Sequence, residues 1–213
     1  MDAAALEVLI VERIQDAGFS GSISSLIDKG RGEIAGEVDL PALHTVVAVT
    51  TSASAATVAL PTSYSKGLYW VGSTVQRKRI GSGKNDYYNL LRFLEKHPIQ
   101  DQVGLITDVV IQGSSLLYQG MAADSLVLRF YTAPTALTTG ASIPSELPAH
   151  LHAGLLVNYV CREIYSIIED PMEGGTPNTS KYNGLYQKAL ASLAEWAAVY
   201  APREPKYTRD SNA

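Results

Sequence analysis

The sequence has only one cysteine, Cys161, in 213 residues. A single thiol cannot form an internal disulfide and cannot build a zinc site of the cysteine-rich kind. Cys161 lies among apolar positions of a predicted helix, where a cysteine is typically a small core residue rather than a nucleophile. The composition therefore excludes a disulfide-stapled fold and fits a reducing compartment.

An excess of positive charge is also missing. Lysine and arginine total 17 against 21 acidic residues, which gives a formal net charge of −4. Such a chain has no global field that would attract nucleic acid, so DNA binding would need a local patch. One candidate patch is the cluster of Arg77, Lys78, Arg79 and Lys84. Its two interpretations are a solvated loop and an electrostatic contact loop that meets an acidic partner or passing DNA.

Long hydrophobic runs are absent. The longest nearly uncharged stretch, residues 44–64, is rich in Thr and Ser and contains Pro61, which is not typical of a membrane span. Near the N-terminus, Asp2 and Glu7 stand where a signal peptide would carry positive charge. We expect a soluble protein that is made in the cytoplasm and has no membrane partner.

Motifs for nucleotide binding and nucleophilic catalysis are incomplete. Residues 81–84 read Gly-Ser-Gly-Lys, but a phosphate-binding loop also needs a glycine at Lys78 and a hydroxyl residue at Asn85. Residues 18–21 miss the Gly-x-Ser-x-Gly nucleophile elbow by one position. These gaps predict that the chain is not an enzyme and binds no cofactor.

A metal site is not expected either. His150 and His152 stand two residues apart, so on a helix they point to different sides. Glu146 alone is a poor third ligand, and the ordinary interpretation is a pair of polar residues in a first helical turn.

Apolar periodicity predicts helices at both ends of the chain. The N-terminal half begins with a helix over residues 2–17 and a second helix capped by Ser22, which contains Gly30, Gly32 and Gly36. These glycines weaken the helix unless they allow close packing. After Pro148 a further helix is predicted, and the last helix has a predicted buried face made of Tyr182, Leu185, Ala189, Leu193 and Trp196.

Short β-branched and aromatic runs separated by Ser, Gly and Pro occupy the middle of the chain, as in antiparallel strands. One short helix is predicted there, beginning at Asn85 or Asp86 and ending at Pro98. The predicted fold class is α+β, a helical bundle of N- and C-terminal helices with a central β-rich antiparallel insertion. The predicted divisions are residues 1–43, 44–138, 139–201 and 202–213.

The last division is an extended tail. Pro202 and Pro205 block helix continuation, and Tyr207 is its only large apolar residue. It cannot bury enough surface to fold alone. Two outcomes stay open: a disordered end, or a segment that orders on a partner.

The order of these elements resembles the head-to-tail adaptor, or connector, proteins of tailed bacteriophages. Four segments carry the resemblance in sequence order: residues 38–43 (Val-Asp-Leu-Pro-Ala-Leu), residues 58–64 (Val-Ala-Leu-Pro-Thr-Ser-Tyr), residues 126–138 with their strand and Tyr-x-x-Pro-x-x-Leu turn, and residues 143–148 leading into the helix at Leu155. The loop at Glu169 and the helix from Tyr182 to Trp196 complete it, over about residues 1–200.

The resemblance implies a structural virion protein in the neck between capsid and tail, made in the host cytoplasm. It implies a ring of twelve copies that binds the portal and a tail or nozzle protein, with genomic DNA passing through the channel without specific binding. The tail residues Arg203, Lys206, Tyr207 and Arg209 are the expected portal interface. The alternatives are another neck or tail-completion protein, and a small phage hydrolase. Without the resemblance, the residues indicate only an α+β protein with protein partners.

Overall fold

The computed structural model describes residues 1–14, 19, 21–78, 87–90, 92–93, 106, 108–119, 123–169 and 175–200. The chain divides into two compact units, one made of Met1–Leu43 with Pro134–Ala213 and the other of His44–Ala133. The first unit is helical and the second consists of strands, which confirms the predicted α+β class with helices at both ends and strands between them.

The helical unit has four α-helices: α1 (Ala3–Ile14), α2 (Ile23–Glu37), α3 (Asn158–Ile168) and α4 (Pro177–Tyr200). Short 3-10 helices occupy Pro41–Leu43 and Ala149–Leu151, and a π-helix occupies Ala153–Val157. Helix α1 buries Leu6, Ile10 and Ile14, as predicted, whereas the predicted end of this helix at residues 15–17 lies outside the described residues. The side chain of Ser22 accepts a hydrogen bond from the Ser25 amide at 3.3 Å and caps α2, which confirms the predicted start.

Of the three glycines in α2, only Gly30 lies where a side chain would collide with a neighbouring helix. A Cβ atom on Gly30 would lie 2.6 Å from Cδ1 of the buried Tyr159 ring, whereas nothing lies within 4 Å of a Cβ on Gly32 or Gly36. Gly30 therefore lets α2 approach α3 closely, while the other two glycines only weaken the helix.

This contrast gives a matched test. We expect Gly30→Ala to lower the free energy of unfolding by about 1–3 kcal/mol, because the Tyr159 ring must move to relieve the overlap. Gly32→Ala should instead raise it by about 0.5–1 kcal/mol, since alanine favours the helix and meets no neighbour. Urea denaturation followed by circular dichroism measures both, and a stabilised Gly30→Ala variant would contradict the packing described.

The helix after Pro148 is less regular than predicted, since the 3-10 and π segments precede α3. All residues from Leu155 to Cys161 are buried. The Asn158 side chain donates to the Gly154 carbonyl at 2.7 Å within this stretch. Helices α1, α2 and α4 all contact α3. Helix α3 is therefore the central helix of this unit and makes apolar contacts on several sides.

The buried face of α4 differs in part from the prediction. Its buried residues are Tyr182, Tyr186, Leu190, Leu193 and Ala197. Leu185 is 42% exposed, and Ala189 and Trp196 are only partly buried. Tyr186 takes the core position because its ring packs edge-on against Tyr159, with ring centroids 5.6 Å apart. Tyr182 and Leu193 were predicted correctly, and Leu185 was not.

The strand unit contains two four-stranded sheets. Its strands are β1 (His44–Thr50), β2 (Thr57–Ala59), β3 (Tyr64–Lys78), β4 (Tyr87–Leu90), β5 (Arg92–Phe93), β6 (Asp108–Gln112), β7 (Ser115–Gln119) and β8 (Ser125–Thr132). The sheet orders are β1-β8-β3-β4 and β2-β7-β6-β5, and every pairing is antiparallel except β5 with β6. Leu126, Leu128 and Phe130 of β8 alternate with partly exposed residues and join the core of this unit.

The short helix predicted from Asn85 or Asp86 is wrong where the structure describes it. Tyr87–Leu90 pairs with β3, and Arg92–Phe93 pairs with β6. The sheet ladders satisfy these backbone groups, and two adjacent tyrosines favour a strand, so non-local pairing overrides the helical spacing of the leucines. Residues 94–98 of that prediction lie outside the described residues.

Candidate functional site

The most buried charges of the helical unit form a clamp between α2 and the segment before the 3-10 helix. Arg31 donates from Nε to Glu146 Oε1 at 2.6 Å and from Nη1 to Asp28 Oδ1 at 2.6 Å. The Arg31 and Glu146 side chains are only 4% and 6% exposed. Asp28 also accepts a hydrogen bond from the Leu137 amide at 3.2 Å. Burial disfavours the charged guanidinium, but its carboxylate partners outweigh this and raise the pKa of Arg31. This clamp is structural, because each member is used in holding another.

A second charged cluster joins α2 to α3 nearer the surface. Glu163 accepts from Lys29 at 2.6 Å and from Arg162 at 2.9 Å. The Arg162 guanidinium also lies 4.7 Å from the ring centre of Tyr159 and 5.0 Å from that of Tyr186. Burial would raise the pKa of Glu163, but its two cationic partners outweigh that effect and lower it. The carboxylate is held ionised as a cross-link between helices rather than poised as an acid or base.

The N-terminus of α4 has a cap from outside the helix. Glu169 accepts from the amides of Asn178 and Thr179, each at 2.9 Å, and from the Thr179 hydroxyl at 2.8 Å. Desolvation acts to raise the pKa of Glu169, but these hydrogen bonds outweigh it and lower the pKa. The contribution of this cap is therefore present at neutral pH and is lost as the pH falls through the lowered pKa. The cap fixes the direction in which α4 leaves the loop.

The residues considered as metal ligands or nucleophiles in the sequence are either held by other groups of the fold, buried, or exposed without a neighbouring ligand among the described residues. His152 is buried, with Nε2 at 3.1 Å from the Leu147 carbonyl, whereas His150 is exposed. Glu146 is engaged by Arg31. Burial raises the pKa of Cys161 to about 11, so its thiolate is scarce at neutral pH. Within the described ranges, no group of three or more His, Cys, Asp or Glu side chains could hold a metal ion.

Most of the residues predicted as contact sites lie outside the described residues. Arg77 and Lys78 are the last two residues of β3, while Arg79 and Lys84 lie outside the described residues. Arg203, Lys206, Tyr207 and Arg209 also lie outside them, beyond the end of α4 at Tyr200. No helix in the described part of the chain is long and apolar enough to cross a membrane.

Helix α4 carries a second, largely apolar row of residues beside its buried face, here called the α4 stripe, which is interrupted by the polar Ser192. It consists of Leu185, Ala189, Ser192, Trp196 and Val199, which recur at spacings of four and three. Leu185 is 42% exposed and Val199 71% exposed. Ala189 and Trp196 are partly buried and pack against the helical core, and the Trp196 ring centre lies 5.0 Å from that of Tyr200. Lys181 and Lys188 precede and follow Leu185 by about one turn. Glu195 lies three residues after Ser192 and four before Val199, so the charged neighbours of this row have both signs.

Helix α1 has a comparable outward surface, here called the α1 stripe. Ala4, Val8 and Val11 lie opposite the buried Leu6 and Ile10, and the two valines are 57% and 58% exposed. Glu7 and Glu12 border the stripe on its two sides, as the angle of about 100° between successive residues requires. Neither carboxylate forms an ion pair with a residue that the structure describes. This surface was not predicted from the sequence, although the spacing of four and three residues was its signal.

Comparison with known proteins adds one finding. The family model described as SU10 adaptor protein matches residues 1–206, which include the whole strand unit, the whole of α4 and all but the last seven residues of the helical unit. No curated protein sequence matches the chain.

Proposed function

Because the chain belongs to the SU10 adaptor protein family, a family of structural phage adaptors, we propose that it is a head-to-tail adaptor whose copies form a ring joining the portal to the tail. The observation that carries this proposal is the family match over residues 1–206, since it spans both units rather than one common motif. The resemblance of the sequence to connector proteins supports a place in the virion neck.

The site chemistry is consistent with an adaptor that works by holding partners. The buried or partly buried charges described above bind other side chains or backbone amides within the fold. A catalytic group instead needs a pKa suited to its task and access to a substrate. We therefore include the absence of enzymatic activity in the proposal. Robust peptidoglycan hydrolysis by the pure protein, abolished by one substitution, would favour the hydrolase alternative.

The ring and its channel form the finer part of the proposal. Copies that contact each other through two different surfaces form a heterologous interface. Such an interface closes into a ring when the rotation between neighbouring copies allows it. A ring of twelve follows from the resemblance to connectors. The net charge of −4 supports a channel through which DNA passes without adhering to strongly basic walls.

The C-terminal tail is the proposed portal contact. Helix α4 runs to Tyr200, so residues 202–213 follow directly from a rigid support that the Glu169 cap orients. In the assembled particle, Tyr207 would be the anchor, and Arg203, Lys206 and Arg209 would meet acidic portal side chains.

Deleting residues 203–213 tests this contact. We expect the truncated chain to keep its circular dichroism spectrum and melting temperature, because the deleted segment contains Pro205 and only one large apolar residue, Tyr207, and so cannot bury enough surface to add to the fold. It should fail to attach to portal-bearing heads in a sedimentation assay. The full-length Tyr207→Ala chain tests the anchor alone, and it should weaken attachment while leaving the fold unchanged. Normal attachment of the truncated chain would show that the tail is dispensable.

Electron cryomicroscopy of the particle separates the proposal from another neck or tail-completion role. Density for the chain as a ring between portal and tail supports the adaptor function. Density at any other position favours the alternative, whatever the oligomeric state.

A further inference from the structure

Strand β1 is an end strand of its sheet and carries none of the features that usually protect such an edge. In the order β1-β8-β3-β4, one side of β1 has no paired strand in the part of the chain that the structure describes. Proteins guard exposed edges with lysine, proline, bulges or very short strands. Strand β1 reads His-Thr-Val-Val-Ala-Val-Thr over seven residues and keeps one unbroken register with β8. Its outer edge is therefore open to pairing with a further strand.

The register shows which main-chain groups of β1 point to this open side. The Thr51 amide donates to the carbonyl of Asp124, the residue opposite it, at 2.9 Å. In an antiparallel pair, residues bonded to the partner strand alternate with residues whose N–H and C=O point away from it. Counting back from Thr51, the outward groups belong to Val46, Ala48 and Thr50. These groups have no hydrogen-bond partner within the described residues, and an extended peptide would supply partners at the same spacing.

The apolar inner face of the sheet is also incompletely covered at β1. Val47 and Val49 pack on the core of the strand unit but remain partly exposed, whereas their register partners in β8, Leu128 and Leu126, are 0% exposed. On the opposite face Val46 is 52% exposed. A further strand beside β1 would cover the two inner valines and continue the core with its own apolar side chains.

From these observations we propose that β1 binds an extended segment of another virion protein, which becomes a fifth strand of this sheet. Main-chain hydrogen bonds give such a contact its affinity, and alternate side chains give it specificity. The segment has apolar residues beside Val47 and Val49 and uncharged residues beside Val46 and Ala48, and it has no proline where an amide faces β1. The inference rests on the proposed adaptor function, because it names the kind of segment that the adaptor holds.

The lengths of the other edges and the symmetry of the ring favour another protein over a second copy of this chain. The remaining end strands of the two described sheets, β2, β4 and β5, have three, four and two residues, against seven in β1. Two β1 strands paired with each other would form a self-complementary contact about a two-fold axis, which stops at a dimer. A cyclic ring has no such axis between neighbouring copies.

Hydrogen exchange tests the added strand before its source is known. The full-length chain is compared in solution and in purified particles, with fragmentation mass spectrometry to resolve single amides. In solution the inward amides of residues 45, 47 and 49 should exchange slowly, because they bond to β8, and the outward amides of residues 46, 48 and 50 should exchange rapidly. In particles both sets should exchange slowly. Rapid exchange of the outward set in particles would overturn the proposal.

Photo-cross-linking identifies the occupant. Particles are prepared with a full-length chain that carries benzoylphenylalanine in place of Val46, and others with it in place of Thr50. Under light the ketone carbon bonds to a nearby carbon of the partner, whose hydrogen moves to the ketone oxygen. The two positions are four residues apart in β1, so the linked partner residues should also lie about four apart in one segment of another virion protein. Links to a second copy of this chain, or to scattered segments, would contradict the proposal.

The variant Ala48→Pro interferes with the added strand alone. The Ala48 amide points outward, so proline removes no bond to β8, and proline is tolerated on the open side of an edge strand. In particles it removes one donor and places its ring against the incoming strand, so the yield of both cross-links should fall at least about tenfold. Ala48→Thr keeps the amide and an uncharged side chain and should keep the yield. Circular dichroism checks that both variants fold, and an unchanged yield in a folded Ala48→Pro chain would overturn the proposal.

The two proposals fail differently. If the chain is absent from purified particles, the adaptor function itself is wrong. If the chain is present but its outward β1 amides still exchange rapidly, the adaptor function stands and the added strand is wrong. The exchange measurement uses the natural edge, so it decides even if the Ala48→Pro chain does not fold.

Discussion

Replacing Arg31 with alanine should lower the free energy of unfolding by about 3–5 kcal/mol, because it leaves the Glu146 carboxylate buried without its cation. Glu146 is only 6% exposed, so its carboxylate would remain in a poorly solvated site. The truncation also removes the bond from Arg31 to Asp28, which keeps its bond to the Leu137 amide. Urea denaturation followed by far-ultraviolet circular dichroism measures the effect.

A double variant separates the buried charge from the packing of the site. Arg31→Met combined with Glu146→Leu removes both charges and keeps apolar volume, so its stability should lie much closer to that of the natural chain. Asp28 is left in this variant, but its side chain is 29% exposed and keeps its bond to the Leu137 amide. Equal losses in the single and double variants would mean that packing rather than uncompensated charge dominates.

Leu193→Ala is expected to have the second large effect, a loss of about 2–5 kcal/mol. Leu193 is fully buried in the helical core, where truncation leaves a cavity that the neighbouring helices fill only in part. Thermal unfolding of the purified chain measures the loss.

Two residues of the same helix calibrate this result. Leu185→Ala makes the same chemical change at a position that is 42% exposed, so it should lower stability far less. Trp196→Ala should also fall below the 3–5 kcal/mol typical of a fully buried tryptophan, since Trp196 is only partly buried. A Leu185→Ala loss as large as that of Leu193→Ala would contradict the observed face of α4.

Helix periodicity was sufficient to predict the two N-terminal helices and their buried faces, because α1 and α2 each bury one well-defined stripe. It was less reliable for α4, where two apolar stripes lie side by side and spacing cannot tell which one faces the core. The aromatic contact between Tyr186 and Tyr159 decides this, and that contact is made across the fold. Tyr87–Leu90 shows the same limit for strands, because its pairing with β3 is also non-local.

The clamp of Arg31, Asp28 and Glu146 could not be predicted for a related reason. Asp28 and Arg31 are three residues apart on one helix, but Glu146 is 115 residues from Arg31 in the chain. Nothing local in the sequence marks that pair. The α1 stripe, in contrast, has a local signal in Ala4, Val8 and Val11, which was missed because the stronger stripe of Leu6 and Ile10 accounts for the helix by itself.

The pairing of β1 with β8 has a consequence for how such proteins diversify. His44 and Tyr131 are register partners, so the chain enters and leaves the strand unit at neighbouring positions. Cα atoms of antiparallel partners lie only about 4.5–5.5 Å apart, a gap that a short turn can close. A genetic exchange with its junctions near these two residues would replace all the intervening strands at once while preserving the sequence of every helix. The strand unit can thus be exchanged as one piece, and its sequence can change at a rate different from that of the helices.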